Sequence, residues 1–367
     1  MKQLETFDEF EGIHQKCSHY IILTAARGIA YKISYRKETF YLLVHIGCCV
    51  SPLPAKEIEK DCPLFNLKNW QIKESPIQRY GQAGCSSLKG MWIMGGFGVR
   101  PQGHGRLDNL IFVHQNGTVE PKLKDKRLAR MYHSLHLIQS KLVVYGGRTH
   151  PEMVLGDLGF IDTESNKIDW LEAQPAWPEP RFRHASTLIS PNEIFVAGGR
   201  GHRKILSDCW IMRVLPEATS PSVDWLPFLS LPSGRHSAVA SYWNELIVIS
   251  GGLNKSETSC QPQLLVSKTS QQQEWTEPAW NGPLPIPRYS HQALVTTDNR
   301  LILAGGISSC HPRTPGVCVI DLQNWTSVEY SLPVRTISLI EFMNKLKKSF
   351  CLPTDPRHPT AGDARQF

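Results

Sequence analysis

Several features that mark membrane, secreted and metal-binding proteins are missing from this sequence. No apolar run approaches the ~20 residues that a membrane helix requires. The first ten residues lack the basic-then-apolar pattern of a secretory signal. None of the ten cysteines forms a C-x-x-C pair, and no cysteine and histidine set has the spacing of zinc ligands. We therefore expect a cytoplasmic, or nuclear, protein with reduced thiols, no membrane partner and no metal.

Nucleotide-cofactor motifs are also absent. No glycine pair stands between a strand and a helix in a G-x-G-x-x-G pattern, and no Walker lysine follows one. The charge balance adds little, because a formal net charge of +7 permits an anionic partner such as RNA without requiring one. The sequence therefore predicts no catalytic, cofactor-binding or metal residue.

What the sequence has is a repeat. A short apolar run ends in Gly-Gly five times, and the first glycines of the pairs are 51 to 54 residues apart. The pairs are Gly95-Gly96, Gly146-Gly147, Gly198-Gly199, Gly251-Gly252 and Gly305-Gly306. This spacing matches the kelch period of about 50 residues. It predicts an all-β, kelch-type β-propeller with five clear blades and an incomplete sixth, preceded by a short helix and strand.

An arginine/histidine element recurs in phase with the glycine pairs, and a tryptophan precedes most of its copies. The elements are Arg130…His133, Arg181…His184, Arg235-His236 and Arg288…His291, with Arg79…Gln82 as a weaker form. The tryptophans are Trp70, Trp170, Trp225, Trp275 and, closing the last unit, Trp325. Because a catalytic site uses one copy of each role, repetition favours a structural role between blades for all four histidines.

The segment before the first blade has a different character. Thr6 and Glu9 form a capping box, and apolar residues follow at helical spacing from Phe7 to Cys17. Residues 19–28 then have the pattern of a buried strand. One helix and one strand do not make a domain, so we interpret them as the end of a larger domain that begins further upstream.

The stretch ETFDEFEGIHQKCSHYIILTAARG (Glu5 to Gly28), followed by RYGQAG and MWIMGGFG, resembles the tRNA wybutosine-synthesizing protein 4 family, also called leucine carboxyl methyltransferase 2. The resemblance implies methylation and methoxycarbonylation of a hypermodified guanosine in phenylalanine tRNA, with S-adenosylmethionine as cofactor. In that family a methyltransferase domain precedes the kelch domain. In the family the glycine-rich cofactor turn lies upstream of the matched segment. This chain is therefore expected to bind no cofactor, and the resemblance assigns no catalytic residue to it.

These observations divide the chain into four parts. Residues 1–35 are the end of a methyltransferase domain, and 36–78 are a linker with one or more closing strands, in which 38–47 could pair with Trp70. Residues 79–330 form the propeller, and 331–367 form a divergent, partly disordered tail that could include a basic helix over 335–348.

Two basic stretches are the candidate contacts to RNA or to a protein partner. The candidate residues are Lys122, Lys124, Lys126, Arg127, Arg200, His202, Arg203 and Lys204. Arg130 also falls in the first stretch, but it belongs to the repeated element and is interpreted as structural. Lysine and arginine in propeller loops are suited to phosphate contacts, although an ordinary solvated loop has the same composition.

Three functions remain open at this point. The first is a propeller that presents phenylalanine tRNA or a protein partner to a methyltransferase. The second is a stand-alone kelch adaptor, for which residues 1–60 are too short and too strand-like to supply a helical dimerisation module. The third is a kelch-fold copper oxidase, and nothing here specifies its ligand set. Fold alone does not decide among them.

Overall fold

The computed structural model describes residues 20–22, 29–35, 38–44, 50–51, 72–74, 79–87, 89–101, 103–114, 118–150, 152–215, 221–260, 263–269, 274–296, 298–308, 316–330 and 335–336. Nearly all of them lie in strands or in short turns between strands. Within these residues the one helical segment with defined bounds is the 3₁₀ helix Lys126–Leu128, capped by the Asp125 carboxylate. No apolar helix in this part of the chain reaches the length that a bilayer crossing requires.

An N-terminal sheet precedes the repeats. Its region contains β1 (Tyr20–Ile22), β2 (Ile29–Tyr35), β3 (Glu38–Val44), β4 (Val50–Ser51) and β5 (Ile72–Glu74). The sheet has the order β1-β3-β2-β5, in which β1 and β3 are parallel and the other pairs are antiparallel. The predicted strands at 19–28 and 38–47 are thus strands in part. The predicted helix at 6–17 and Trp70 lie outside the described residues.

Each of the five Gly-Gly units then forms one principal antiparallel sheet of three or four strands in chain order, and the first two units add a small second sheet. The first unit contains β6 (Arg79–Tyr80), β7 (Ala83–Ser87), β8 (Gly90–Met94), β9 (Phe97–Arg100), β10 (Gly103–Arg106), β11 (Asn109–His114) and β12 (Val119–Lys124). The second contains β13 (Ser134–Ile138), β14 (Lys141–Tyr145), β15 (Arg148–His150), β16 (Met153–Val154), β17 (Leu158–Asp162) and β18 (Ile168–Leu171). The principal sheets are β7-β8-β11-β12 and β13-β14-β17-β18.

The remaining units repeat this plan. The third is β19 (Ala185–Ser190), β20 (Glu193–Ala197), β21 (Cys209–Val214) and β22 (Val223–Phe228). The fourth is β23 (Val239–Trp243), β24 (Leu246–Ser250) and β25 (Leu264–Lys268), with a single bridge from Val266 to Thr276 where the fourth strand would lie. The fifth is β26 (Gln292–Val295), β27 (Arg300–Ala304), β28 (Val317–Asp321) and β29 (Thr326–Tyr330). The short β30 (Arg335–Thr336) pairs with β4.

The hydrophobic core lies between successive sheets. Val144 of the second sheet packs in one cluster with Trp92 of the first, and Val196 of the third packs with Val143 of the second. Ile249 joins the fourth sheet to Phe195 of the third, and Leu303 of the fifth sheet packs in the same way on the fourth. Each tryptophan from Trp170 to Trp325 named above packs against one of these clusters, as the sequence predicted.

The first strands of the principal sheets, β7, β13, β19, β23 and β26, contact one another in sequence, and β1 contacts β26. Sheets that pack face to face in chain order around their first strands form a propeller. The predicted all-β propeller is confirmed. The number of blades in the complete ring and the domain bounds stay predictions.

The glycine pairs are required by conformation and by space. All ten have positive φ, from +57° to +102°. A Cβ on Gly147 would lie 2.8 Å from the Cβ of His133 and 2.9 Å from the carbonyl oxygen of Met131. Side chains are disfavoured at such φ values, and backbone atoms at that distance cannot move away cheaply.

We expect Gly147→Ala to destabilise the fold more than Gly103→Ala by about 2 kcal/mol, the usual size of an overpacking penalty. Both glycines have φ near +100°, so both substitutions carry the same conformational strain. A Cβ on Gly103 meets nothing within 4 Å. Urea unfolding of the two variants measures the difference, and equal losses would show that the close approach is unimportant.

Candidate functional site

One buried arginine in each unit binds the backbone at the carboxyl end of the strand that precedes the glycine pair. Arg79, Arg130, Arg181, Arg235 and Arg288 are between 0% and 6% exposed. Each donates from Nη1 to the carbonyl oxygen of the first glycine in its own unit, at 3.0 to 3.3 Å. These residues are the arginines of the sequence element, so the structural role predicted for Arg130 extends to the whole set.

In the first, second, third and fifth units the arginine also bonds an acidic or amide side chain. Arg130 and Arg181 each hold an aspartate with two hydrogen bonds, to Asp157 and Asp208. Arg79 donates to Asn109 at 3.0 Å. In the fifth unit Gly316 occupies the position of Asn109, Asp157 and Asp208. It has no side chain, and Arg288 instead donates to both carboxylate oxygens of Glu329 on β29.

The same segments join neighbouring sheets. The amide nitrogen of the second glycine donates to the carbonyl oxygen of the next unit's arginine, from Gly96 to Arg130 and from Gly147 to Arg181, at 2.9 Å in both cases. The next two junctions repeat this bond at 2.8 and 3.0 Å. Each arginine segment therefore fixes its own sheet and the preceding one.

We expect Arg181→Leu to lower the free energy of unfolding by about 3 kcal/mol, because it leaves Asp208 without its guanidinium. Although burial opposes ionisation of Asp208, its bonds with Arg181 hold its pKa below the ordinary value. The double variant Arg181→Leu/Asp208→Leu should recover part of the loss. Arg213→Leu is the control, since its pair with Glu193 is partly exposed and should cost less than about 1 kcal/mol. Equal losses at both arginines would contradict the assignment.

Three of the four histidines occupy the same place in their units, and the fourth does not. A Cβ on the second glycine would meet Gln82, His133, His184 or His291 in four units, but Ala238 in the fourth unit. His236 lies two residues earlier, at the position of Met131, and bridges to Leu253. The prediction of four in-register histidines was wrong for His236, because an adjacent Arg-His pair resembles the spaced element. The prediction for Gln82 was correct.

The in-register histidines are uncharged; His133 and His291 are buried, and His184 is half-buried. His184 and His291 each share a hydrogen bond with a serine of the preceding sheet, Ser134 at 3.0 Å and Ser250 at 2.8 Å. Burial, with the nearby arginine of each element, lowers the pKa of both to about 3. The neutral imidazoles of His184 and His291, which bond across sheets, match the structural role predicted for them.

Since a histidine in the unfolded chain titrates near 6.5, the unfolded chain takes up a proton at His291 that the folded chain refuses. Stability is therefore complete above about pH 6.5 and falls towards pH 3, by about 1.4 kcal/mol per pH unit for each such histidine. The variant His291→Gln introduces the residue type that the first unit has at Gln82. We expect it to reduce the slope of the unfolding free energy against pH, between pH 6 and 4, by the equivalent of about one proton. The exposed His150 serves as control through His150→Gln, and chemical unfolding across pH measures both; equal slopes in the two variants would contradict the prediction.

The inner strands surround a cavity of about 420 Å³. At one end, the residue before each histidine position has a left-handed backbone: Gly81, Tyr132, Arg183, Ser237 and Ser290, with φ from +53° to +67°. Their backbones form a chain of hydrogen bonds from sheet to sheet, each amide nitrogen donating to the preceding carbonyl oxygen at 2.7 to 2.9 Å. We call this end of the cavity the mouth.

Arginines collect on one side of the mouth. The guanidinium carbon of Arg148 lies 4.8 Å from the ring centre of Phe182 and 5.4 Å from that of Tyr132. That of Arg183 lies 4.4 Å from the Tyr132 ring. Burial lowers the pKa of Arg148, and the positive charges of Arg183, Arg106 and Arg200 lower it further. We call Arg106, Arg148, Arg183 and Arg200 the mouth arginines.

One carboxylate faces this group. Glu257 lies 2.8 Å from Arg200 and 3.5 Å from His236, and in the described part of the chain the other three mouth arginines have no ion pair. Burial and two mouth arginines lower the pKa of His236 to about 4, against the opposing effect of Glu257. The mouth therefore carries an excess of positive charge beside aromatic rings, which suits an anionic, planar ligand.

The structure separates the candidate residues chosen from the sequence. Arg200 belongs to the mouth, whereas Arg127 bonds Asp157 and Glu172 and stacks 4.4 Å from the Trp170 ring. Lys122 and Lys204 lie 2.6 and 2.7 Å from glutamates. The rest are exposed: Lys126, Arg203 and His202, together with Lys124, whose Nζ is 4.0 Å from Asp108.

Arg148, Arg183 and Arg106 were missed by the sequence analysis. One signal was available, since Gly-Gly-Arg occurs twice, ending at Arg148 and Arg200. The described residues contain no group of three or more histidine, cysteine or acidic side chains arranged to hold a metal ion.

The repeated arginine closure, the cores between sheets and the central cavity lined by the first strands of the principal sheets define a β-propeller. Residues 127–347 match the family model described as tRNA wybutosine-synthesizing protein 4, β-propeller. This match covers more than half of the chain, and the chain belongs to that family.

Individual relatives agree with the family. The chain is 28% identical over 363 residues to tRNA wybutosine-synthesizing protein 4 of Homo sapiens, a match that covers 90% of the chain and 50% of the relative. It is 28% identical over 366 residues to the protein of that name from Rattus norvegicus, covering 92% and 51%. Adagio protein 3 of Arabidopsis thaliana is 26% identical over 268 residues, covering 68% and 42%. The chain thus spans about half the length of the two wybutosine-synthesizing relatives.

Proposed function

We propose that this chain is the tRNA-presenting propeller of a wybutosine-synthesizing methyltransferase, and that phenylalanine tRNA contacts the face that carries the mouth. Family membership and the names of the human and rat relatives supply the substrate class. The mouth arginines are the observation that carries the proposal, because four guanidinium groups with one carboxylate among them, beside aromatic rings, suit an RNA backbone and its bases.

Both basic stretches lie towards this face. Lys124 ends β12 and Arg200 follows β20, and the carboxyl ends of these two strands point to the edge of the sheets that carries the glycine pairs. Lys126 and Arg203 are exposed at this edge and are proposed as outer phosphate contacts. Phosphate contacts of this kind give position and salt-dependent affinity without base specificity.

Methyl transfer and methoxycarbonylation belong, in this proposal, to a methyltransferase domain that holds S-adenosylmethionine. A cofactor turn between a strand and a helix is absent from the described residues, whose one defined helix is a single 3₁₀ turn. The propeller's contribution is to bind and orient the tRNA, since positioning the nucleophile against the sulfonium is the main requirement of methyl transfer.

Filter binding with phenylalanine tRNA across a range of salt concentrations tests the proposal. We expect the logarithm of the association constant to fall linearly with the logarithm of salt concentration. Arg148→Gln and Arg203→Gln should each reduce the slope by about one, as loss of one phosphate contact does.

Arg213→Gln is the matched control, because Arg213 lies near the end of β21 away from the glycine pairs and bonds Glu193. It should leave the slope unchanged. Absence of binding at low salt, or binding without a salt slope, would contradict the RNA proposal and leave the protein-adaptor function.

A further inference from the structure

The mouth contains an anionic group that belongs to the chain itself. The carboxylate of Glu257 lies 2.8 Å from the guanidinium of Arg200 and 3.5 Å from the ring of His236. Glu257 belongs to the loop after the glycine pair of the fourth unit, whereas Arg200 directly follows the glycine pair of the third. The ion pair therefore joins two units and places a negative group beside the mouth arginines.

The surroundings of this carboxylate are positive. Burial lowers the pKa of His236 to about 4; Glu257 opposes this shift, and two mouth arginines, Arg183 and Arg200, add to it. Burial also raises the pKa of Tyr289, on which Arg183 and Glu257 act in opposite directions. Both arginines and the carboxylate are thus close enough to act on the same side chains. A negative group among guanidinium groups takes the position that an anionic ligand would prefer.

The backbone of the loop holds Glu257 in place. Its φ is +55°, a left-handed conformation that is uncommon for a glutamate. The side-chain oxygen of Asn254 accepts from two amide nitrogens further along the loop, at 2.9 and 3.2 Å. The amide nitrogen of Glu257 donates to the carbonyl oxygen of Asn254 at 3.1 Å. The carboxylate therefore reaches Arg200 from a preset and strained backbone, and such strain is concentrated at functional sites.

Fold stability does not account for this ion pair. The side chains of Arg200 and Glu257 are 46% and 53% exposed. Exposed ion pairs contribute little to folding, because water and salt screen them and both side chains lose conformational freedom. The same exposure leaves the guanidinium within reach of a ligand and gives the carboxylate room to move away. The pair is therefore suited to control access to Arg200.

We propose that Arg200 and Arg183 form an anion subsite of the mouth, and that the carboxylate of Glu257 occupies this subsite until a phosphate displaces it. The inference rests on the proposed function for its ligand, because an RNA backbone supplies phosphates in series. A single anion at Arg200 exchanges one ion pair for another and gains little. A chain of phosphates also reaches Arg148 and keeps its affinity through that contact. Glu257 thus weakens every anion at the subsite, and a polyanion tolerates this competition best.

Filter binding of the full chain with phenylalanine tRNA measures the effect of the internal carboxylate. A phosphate that binds Arg200 frees Glu257, which takes up a cation from solution, so this contact should add little to the net release of ions. In Glu257→Gln the competitor is gone. We expect the association constant at low salt to rise about fivefold, the upper end of what an exposed ion pair contributes. The salt slope should steepen by about one, as gain of one phosphate contact predicts.

Further substitutions identify the partner of the carboxylate. Arg200→Gln alone should change the salt slope little, whereas in the Glu257→Gln background it should remove both gains. Glu193→Gln is the matched control, because it removes a carboxylate that pairs with Arg213 at 2.9 Å, away from the glycine pairs. It should change neither quantity, and urea unfolding confirms that each variant is folded. Equal gains from Glu257→Gln and Glu193→Gln would show a general effect of charge and overturn the proposal.

Isothermal titration with tripolyphosphate tests the subsite without RNA. We expect Glu257→Gln to bind this polyanion about fivefold more tightly than the wild type does. The double variant Glu257→Gln/Arg200→Gln should lose that gain. If this pattern appears but tRNA does not bind, the subsite stands and the proposed RNA function fails. If tRNA binds with a salt slope that Glu257→Gln leaves unchanged, and tripolyphosphate affinity is unchanged as well, the inference fails while the proposed function stands.

Discussion

The fold depends on a buried arginine that holds the carbonyl oxygen of a glycine, repeated five times. A guanidinium that is almost completely enclosed must be supplied with acceptors, since a buried charge without them is strongly destabilising. The glycine supplies one acceptor because its backbone turns with positive φ and brings its carbonyl oxygen to the arginine. The arginine's own carbonyl oxygen then accepts from the glycine pair of the preceding unit. The same arginine segment therefore binds the glycine of its own sheet and the glycine pair of the preceding sheet. This explains why the arginine and the glycine pair recur together.

This closure determines where variable side chains can stand. Tyr132 and Arg183 lie two residues after a buried arginine, and Arg148 and Arg200 directly follow a glycine pair. Their backbones are fixed by bonds within one unit, such as those linking Phe182 with Arg200 and Met131 with Arg148, and by the bond from Arg183 to Tyr132 between units. Their side chains take no part in those bonds, so they can change without loss of the scaffold. A rigid frame with replaceable side chains at the rim of a cavity is a favourable way to build a binding site.

The repeat was readable from the sequence because each unit carries its own strands, glycines and arginine within about 50 residues. The glycine period predicted the sheets, and the recurring tryptophans predicted the contacts between them. The mouth arginines were not readable, because Arg106 and Arg200 are 94 residues apart and meet only when three sheets curve around one cavity. His236 was assigned to the wrong position because it directly follows Arg235. It lies two residues before the position that the other histidines occupy, where the fourth unit has Ala238. The carboxylate of Glu329 could not be foreseen because it replaces an aspartate position that Gly316 leaves empty.

The two sets of arginines differ in what their charge does. Carboxylates inside the fold form ion pairs with Arg130, Arg181 and Arg288. Removal of either partner of such a pair leaves an uncompensated charge. Arg148 lies among other arginines instead, and its pKa is lowered partly by their repulsion. Clustered like charges are unfavourable for folding, so the mouth arginines do not stabilise the scaffold as the buried set does. An anion placed among them would relieve that repulsion, and the relieved energy would appear as affinity. The mouth is therefore the place on the described surface where ligand binding and protein electrostatics favour each other.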